Sequence, residues 1–128
     1  MLTFISRSRL VWAVLSFAML GLALLPQHAS AAGALAVGKC GAYGQAYDFP
    51  HEQGAVAAAR KQCKGDCTLV TMRRACAAIS LDLNNPCGAY GYAVAPRISS
   101  AQNNAMRKCY ENGGKDCIIR AWTCDAKG

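Results

Sequence analysis

The sequence predicts a small, disulfide-stapled α+β domain of two strand-helix-strand repeats on one largely antiparallel sheet. Two observations support this prediction: an internal duplication and eight cysteines among 128 residues. At an offset of about 47 residues, the segment 40–44 (CGAYG) recurs at 87–91, and the cysteines fall as four plus four in the same order. We therefore predict one domain over 32–128 with internal repeats at 40–76 and 87–124.

The N-terminus has the order of a secretory signal peptide over residues 1–31. Arg7 and Arg9 precede an apolar run at 10–25, which is followed by small residues up to Ala31. This order predicts cleavage after Ala31, with a second candidate site at 34–36. An uncleaved membrane anchor is the alternative, because the run nearly reaches the roughly 17 to 25 residues that a spanning helix needs. We expect an exported protein, periplasmic or extracellular, with no membrane anchor after cleavage.

The composition of the remaining chain favours covalent cross-links. The formal net charge of the whole chain is +7, and removal of residues 1–31 would leave about 97 residues with a net charge of about +5. A chain of this size buries only about 60% of its unfolded surface, so its hydrophobic core is thin. With export to an oxidising compartment, eight cysteines predict four disulfides.

Each repeat is predicted to contain the same elements. Glycine-interrupted strands are predicted at 42–47 and 88–95, helices that begin near Pro50 and Pro96, and β-rich strands at 68–72 and 118–122. Alanines and a cysteine four residues apart mark one face of each helix: Ala55, Ala59 and Cys63 in the first, and Ala101, Ala105 and Cys109 in the second. Small residues on that face indicate close packing against a sheet.

Two helix caps and one further strand follow from local patterns. Ser99 and Gln102 form a capping-box pattern for the second helix, and Asp48 is a candidate cap for the first. Apolar residues alternate over 77–83, which predicts a half-buried strand that ends at the turn 84–86. This strand is expected to pair with the one that begins near Gly88.

The cysteine and alanine pattern resembles a family of secreted bacterial proteins. The chain carries Ala-x3-Ala-x3-Cys, a glycine-containing turn, a cysteine that heads a strand, the segment 76–78 (CAA), a second Ala-x3-Ala-x3-Cys and a terminal cysteine. This pattern, over roughly 42–124, resembles the domain-of-unknown-function family DUF 4189. The resemblance implies export and a cysteine-stapled fold, and it supplies no activity and no catalytic residues. Cys40 and Cys87 look additional to the family's usual set.

The spacing of the cysteines leaves two pairings in play. The preferred pairing joins each helix end to the next strand and closes each repeat on itself: Cys63 with Cys67, Cys109 with Cys117, Cys40 with Cys76, and Cys87 with Cys124. The rival pairing keeps the short disulfides and joins Cys76 to Cys87 and Cys40 to Cys124. Neither zinc binding nor thioredoxin-like chemistry is favoured, because the close pairs are C-x3-C and C-x7-C rather than C-x2-C. We expect no cofactor and no metal.

The residues that catalysis would need are scarce. The chain after residue 31 has one histidine, His51, beside Pro50 at a predicted helix start, and its seven acids are scattered without a paired motif. No glycine-rich phosphate loop follows a convincing strand. We therefore predict a non-enzymatic binding or interaction module. The alternative is a small secreted hydrolase or thiol-redox protein whose site forms only in three dimensions.

Basic residues near the predicted helix ends form the candidate binding face: Arg60, Lys61, Lys64, Arg107 and Lys108. Cations at helix C-termini also favour the helix dipole, so a purely stabilising role is the alternative. No basic run exceeds two residues, and the tyrosines lie on predicted strands, so the pattern does not favour nucleic-acid binding. If both helix ends lie on one side, the expected partner is an acidic protein or an anionic envelope component.

Overall fold

The computed structural model describes residues 31–125, so the predicted signal peptide up to residue 30 lies outside the described residues. The described elements, in chain order, are β1 (Ala32–Val37), β2 (Tyr43–Phe49), α1 (Glu52–Gln62), β3 (Thr68–Met72), β4 (Cys76–Asp82), β5 (Tyr90–Ala95), α2 (Ile98–Glu111) and β6 (Cys117–Cys124). The order strand, strand, helix, strand thus occurs twice, and the predicted α+β class is confirmed. Neither of these helices is long and apolar enough to cross a membrane.

The strands form two three-stranded sheets where the sequence analysis predicts one. All pairings are antiparallel, with the order β2-β1-β3 in the first sheet and β5-β4-β6 in the second. The predicted pairing of the 77–83 strand with the strand after Gly88 is confirmed as β4 with β5. β1, the central strand of the first sheet, is not predicted from the sequence, because its residues AGALAV adjoin the predicted cleavage site and are small and alanine-rich.

The side chains of β1 show how the first sheet is packed. Ala34 and Ala36 belong to a core cluster shared with α1, whereas Leu35 and Val37 belong to a cluster shared with the second sheet. Successive side chains of a strand point to opposite faces. The first sheet is therefore covered by α1 on one face and by the second sheet on the other.

The second sheet has the mirrored arrangement around β4. Ala78 packs in a cluster with α2, while Ala77 and Ile79 pack against the first sheet. All seven residues of β4 are buried, so the expectation of a half-buried strand was wrong. The reason is that a helix and a sheet cover the two faces of a central strand. The molecule is a four-layer sandwich, with a helix outside each sheet.

Each helix lies close to its sheet because both surfaces carry small residues. Ala55 and Ala59 of α1 are fully buried, which confirms the predicted face. A Cβ atom added to Gly44 of β2 would overlap the backbone oxygen of Ala59, and one added to Gly91 of β5 would overlap that of Ala105. Backbone therefore meets backbone at these two points, and only glycine fits there.

Replacement of Gly44 or Gly91 by alanine is expected to lower the free energy of unfolding by about 2 to 3 kcal/mol, because the helix must move away from its sheet. Denaturant unfolding of the two variants measures this loss. The control is Gly54→Ala within α1, where the added Cβ would meet the Phe49 ring at 3.1 Å and alanine is the better helix former. Unfolding midpoints of Gly44→Ala and Gly91→Ala equal to that of the control would contradict the close packing.

Both predicted helix caps were wrong. The N-cap of α1 is His51 and that of α2 is Arg97, and neither makes a side-chain capping hydrogen bond. Ser99 lies within α2 rather than before it, since the helix begins two residues after Pro96. Asp48 belongs to the last part of β2.

Four disulfides join all eight cysteines. They are Cys40–Cys87, Cys63–Cys67, Cys76–Cys124 and Cys109–Cys117. The two predicted short disulfides are therefore confirmed. Both long disulfides of the preferred pairing, Cys40–Cys76 and Cys87–Cys124, were wrong, as were Cys76–Cys87 and Cys40–Cys124 of the rival pairing.

The sheet topology explains the observed long disulfides. Cys76 begins β4 and stands directly opposite Cys124 at the end of β6, with 4.0 Å between their Cα atoms. Cys40 and Cys87 follow the two central strands and link the two halves, with a Cα separation of 3.9 Å. Cys40 and Cys87, which head the two predicted repeats, thus form one disulfide with each other.

Candidate functional site

The C-terminal ends of two strands and of both helices come together at one end of the sandwich. β1 and β4 both end there, because the Cys40–Cys87 disulfide joins the segments that follow them. Both helices end there too. Gln62 of α1 donates a 2.8 Å hydrogen bond to the carbonyl of Gln45 near the start of β2, and Asn112 after α2 donates one of 2.8 Å to the carbonyl of Tyr90 at the start of β5.

This end, named the basic end below, carries the net positive charge of residues 31–125. Its basic residues are Lys39, Arg60, Lys61, Lys64, Arg107, Lys108, Lys115 and Arg120, and its acidic residues are Asp66, Asp82, Glu111 and Asp116. The opposite end has three basic residues, Arg73, Arg74 and Arg97, and three acidic ones, Asp48, Glu52 and Asp125. The described chain is therefore neutral at one end and cationic at the other.

All five residues of the predicted binding face lie at the basic end and are exposed. Arg60 and Lys61 are in the last turn of α1, Lys64 follows that helix, and Lys108 is in the last turn of α2. The two groups belong to opposite outer layers, because α1 and α2 cover different sheets. The end surface of the sandwich lies between them.

Three further basic residues of this end were missed by the sequence analysis. Lys39 lies in the short 3-10 turn after β1, and Lys115 lies in the loop before β6. Arg120 of β6 reaches across to the first sheet, where its Nε donates a 3.2 Å hydrogen bond to the carbonyl of Gly41. Each stands alone in the sequence, away from a helix end, so no local pattern marks it.

Two of the acidic side chains at this end are engaged by neighbouring groups. Asp82 at the end of β4 accepts hydrogen bonds from the backbone N–H groups of Lys115 (3.1 Å) and Asn84 (3.0 Å). These hydrogen bonds hold the pKa of Asp82 below its ordinary value of 3.8, and the one from Lys115 lowers it most. Nε of Arg107 lies 3.8 Å from Oε1 of Glu111 on the next turn of α2.

The lowered pKa of Asp82 predicts a loss of stability in acid. A carboxylate whose pKa is depressed by folding stabilises the folded state above its unfolded pKa, and this contribution disappears as the pH falls through the folded pKa. We expect the free energy of unfolding of the wild-type chain to fall more steeply than that of Asp82→Asn between about pH 5 and about pH 2. Urea unfolding at stepped pH measures both profiles. Asp66→Asn, in an exposed turn, serves as the control, and parallel wild-type and Asp82→Asn profiles would contradict the assignment.

An aromatic and cationic cluster lies along the free edge of β5 at the basic end. The rings of Tyr90 and Tyr92 stack with centroids 6.4 Å apart and an interplanar angle of 17°. Lys108 donates a 3.2 Å hydrogen bond to the Tyr92 carbonyl, and its Nζ lies 5.9 Å from the centroid of the Tyr92 ring. Together with Gly91 and Asn112 these residues line a depression of about 230 Å³.

A second, uncharged cleft lies between the edges of β2 and β6. Its volume is about 360 Å³, and it is lined by Gln45, Tyr47, Trp122, Thr123 and Cys124. Tyr47 and Trp122 are both more than half exposed. No Lys, Arg, Asp or Glu side chain lines this cleft, so it does not belong to the cationic surface.

Residues considered for catalysis are not brought together. His51 is exposed at the start of α1, at the opposite end from the cationic surface. The neighbouring residue Glu52 has its Oε2 3.9 Å from Nε of Arg73. Within residues 31–125, no group of three or more His, Cys, Asp or Glu side chains is arranged to hold a metal ion.

The geometry defines a small disulfide-stapled α+β domain with one cationic end and a shallow aromatic depression there. Residues 32–124 match the family model described as "Domain of unknown function (DUF4189)". The chain belongs to this family, as the resemblance in its cysteine pattern predicts. No curated protein and no solved structure matches the chain.

Proposed function

We propose that this chain is an exported, non-enzymatic binding module whose basic end holds an acidic partner, either a protein or an anionic component of the cell envelope. The separation of charge is the observation that carries the proposal. Eight basic and four acidic residues lie at one end, and three of each lie at the other. A surface of one sign steers and orients partners of the opposite sign.

Export is supported by the covalent framework and by the N-terminal sequence. Four disulfides fit a protein of an oxidising compartment. Cys40 and Cys87 are exposed, and a disulfide at such a position persists where reducing thiols are absent. Cleavage after Ala31 leaves β1 whole, whereas cleavage at 34–36 would remove part of a buried central strand. The intact β1 therefore supports cleavage after Ala31 rather than at 34–36.

The proposal predicts that charge reversal at the basic end weakens binding to acidic polymers. Arg60→Glu with Lys61→Glu is expected to reduce affinity for immobilised polygalacturonate or polyglutamate by about tenfold or more at low salt. Arg73→Glu with Arg97→Glu makes the same change of charge at the opposite end and is the matched control. Surface plasmon resonance at two salt concentrations measures both variants.

Two results would contradict the proposal. In one, both double variants lose affinity equally, which would mean that net charge matters and the end of the molecule does not. In the other, wild-type affinity does not fall with added salt, although screening weakens contacts between exposed charges.

A further inference from the structure

The two halves of the molecule place different side chains at equivalent points of their free edges. β2 and β5 are both edge strands, and unpaired backbone groups at such edges invite association with other chains. In the first half, the side-chain N–H of Gln62 donates a 2.8 Å hydrogen bond to the backbone carbonyl of Gln45. The side-chain oxygen of Gln62 accepts a 3.2 Å hydrogen bond from the backbone N–H of Gln45. The neutral side-chain amide of Gln62 thus satisfies both the backbone N–H and the backbone carbonyl of Gln45 at this edge.

In the second half, the same two positions carry Tyr92 and Lys108. The correspondence follows from the shared glycines, Gly44 and Gly91, which precede Gln45 and Tyr92 on the strands. Lys108 also occupies an edge carbonyl, at 3.2 Å. Since glutamine satisfies this edge in the first half, edge protection does not by itself require a lysine beside an aromatic ring.

The tyrosines two residues earlier on each edge strand, Tyr43 and Tyr90, also differ in how far they are covered. Tyr43 in the first half is covered by Arg120, whose guanidinium carbon lies 5.2 Å from the ring centroid. Its counterpart Tyr90 is 44% exposed and stacks beside Tyr92. The second half thus presents the exposed ring of Tyr90 beside the partly buried ring of Tyr92, which packs against the core between the sheets, and an ammonium group that the first half lacks.

We infer that Tyr90, Tyr92 and Lys108 form a binding site for a sugar ring of an acidic polysaccharide. This inference rests on the proposed function and names the partner of the basic end. A phenol ring is flat and apolar on its face, and it packs against the C–H face of a pyranose. Lys108 has three N–H donors and uses one on the Tyr92 carbonyl, which leaves donors for a carboxylate on the sugar. Asn112 lines the same depression.

The occupied edge favours a glycan over an acidic peptide. An extended peptide binds a strand edge through the backbone carbonyl and N–H groups of that edge. Here the carbonyls of Tyr90 and Tyr92 already accept hydrogen bonds from Asn112 and Lys108. A ligand that stacks on the rings needs neither carbonyl.

Binding of polygalacturonate, neutral dextran and polyglutamate to the full mature chain tests the inference. We expect polygalacturonate to bind more tightly than polyglutamate of equal charge, and dextran to bind weakly. Tyr90→Ala and Lys108→Gln are each expected to weaken polygalacturonate binding about five- to tenfold. Lys108→Gln installs the first-half residue, so the edge carbonyl keeps a donor.

The chain offers matched controls for both variants. Tyr110 lies near the end of α2, is 48% exposed and lies outside the depression, so Tyr110→Ala removes a similar ring from the same end. Arg73→Gln removes one positive charge from the opposite end, where Arg73 is exposed, without touching the tyrosines. Both controls are expected to change polygalacturonate affinity less than twofold, and thermal unfolding reports whether every variant is folded.

The outcomes separate this inference from the proposed function. If Tyr90→Ala behaves like Tyr110→Ala while Arg60→Glu with Lys61→Glu abolishes binding, the basic end stands and the sugar site is wrong. If polyglutamate binds as tightly as polygalacturonate and Lys108→Gln affects both equally, charge alone selects the ligand and the inference is overturned. If charge reversal has no effect on any polymer, the proposed function itself fails.

Discussion

Replacement of both Cys76 and Cys124 by alanine is expected to lower the free energy of unfolding by about 4 kcal/mol. The disulfide closes a loop with a sequence separation of 48, and the loss of loop-closure entropy in the unfolded chain accounts for most of this figure. Cys76 is fully buried between β4 and α2, so its removal also costs packing. Chemical denaturation of the double variant under oxidising conditions gives the free energy directly.

The short disulfide Cys63–Cys67 provides the comparison. Its sequence separation is 4, for which the same entropy argument gives about 2 kcal/mol. Cys40–Cys87 has a separation of 47 but is exposed, so its removal isolates the loop term from the packing term. A larger loss for Cys63 and Cys67 than for Cys76 and Cys124 would contradict this ranking.

Replacement of Asp125 by alanine is expected to lower the free energy of unfolding by about 3 kcal/mol. The Asp125 side chain is fully buried. Its two oxygens accept hydrogen bonds from the backbone N–H groups of Asp48 (3.1 Å) and Arg74 (3.3 Å). Hydrogen bonds to a carboxylate contribute about 1.5 to 3 kcal/mol each, so the loss of both accounts for this figure. Thermal and urea unfolding measure the change.

The backbone around Asp125 explains why this carboxylate matters. Asp48 and Arg74 both have positive φ angles, 57° and 48°, which residues other than glycine adopt at a cost. Asp125 thus holds two backbone segments with an unfavourable conformation, one at the end of β2 and one between β3 and β4. Asp125→Asn is expected to lose less than Asp125→Ala, since one side-chain oxygen remains. Asp116→Ala, an exposed site, is the control, and an equal loss there would refute the role of Asp125.

The two predictions are coupled through the chain. Asp125 directly follows Cys124, so the Cys76–Cys124 disulfide holds the carboxylate in place. The combined variant is therefore expected to lose less stability than the two losses added together, as for neighbouring sites that share one structural role. Strict additivity of the two losses would indicate that the disulfide and Asp125 act independently.

Local elements of this fold were predictable from sequence because they depend on nearby residues. The strand at 68–72 was predicted with the observed bounds, since it is rich in β-forming residues and bounded by turns. The alanine faces of both helices follow from the four-residue spacing, and both short disulfides join a helix end to the strand that follows. Each of these inferences spans fewer than about 15 residues.

The long-range features could not be predicted in the same way. The preferred pairing matched Cys76 to the end of the first repeat, but Cys76 begins β4 in the second half. The correct assignment of Cys76 depends on recognising β1, whose sequence AGALAV shows no alternation of apolar and polar residues. The aromatic and cationic depression depends on the approach of α2 to β5, which places Lys108 beside Tyr92 across 16 positions of sequence.

We propose that the basic end binds an acidic partner through the edge of β5. NMR chemical-shift mapping of a ¹⁵N-labelled chain of residues 32–128 with short oligogalacturonates tests this proposal most directly. Saturable shifts are expected at Tyr90, Tyr92, Lys108 and neighbouring residues of the basic end, with no shifts at the opposite end around Glu52 and Arg97. Shifts centred on the opposite end or on the cleft of Tyr47 and Trp122, or no shifts at all, would contradict it.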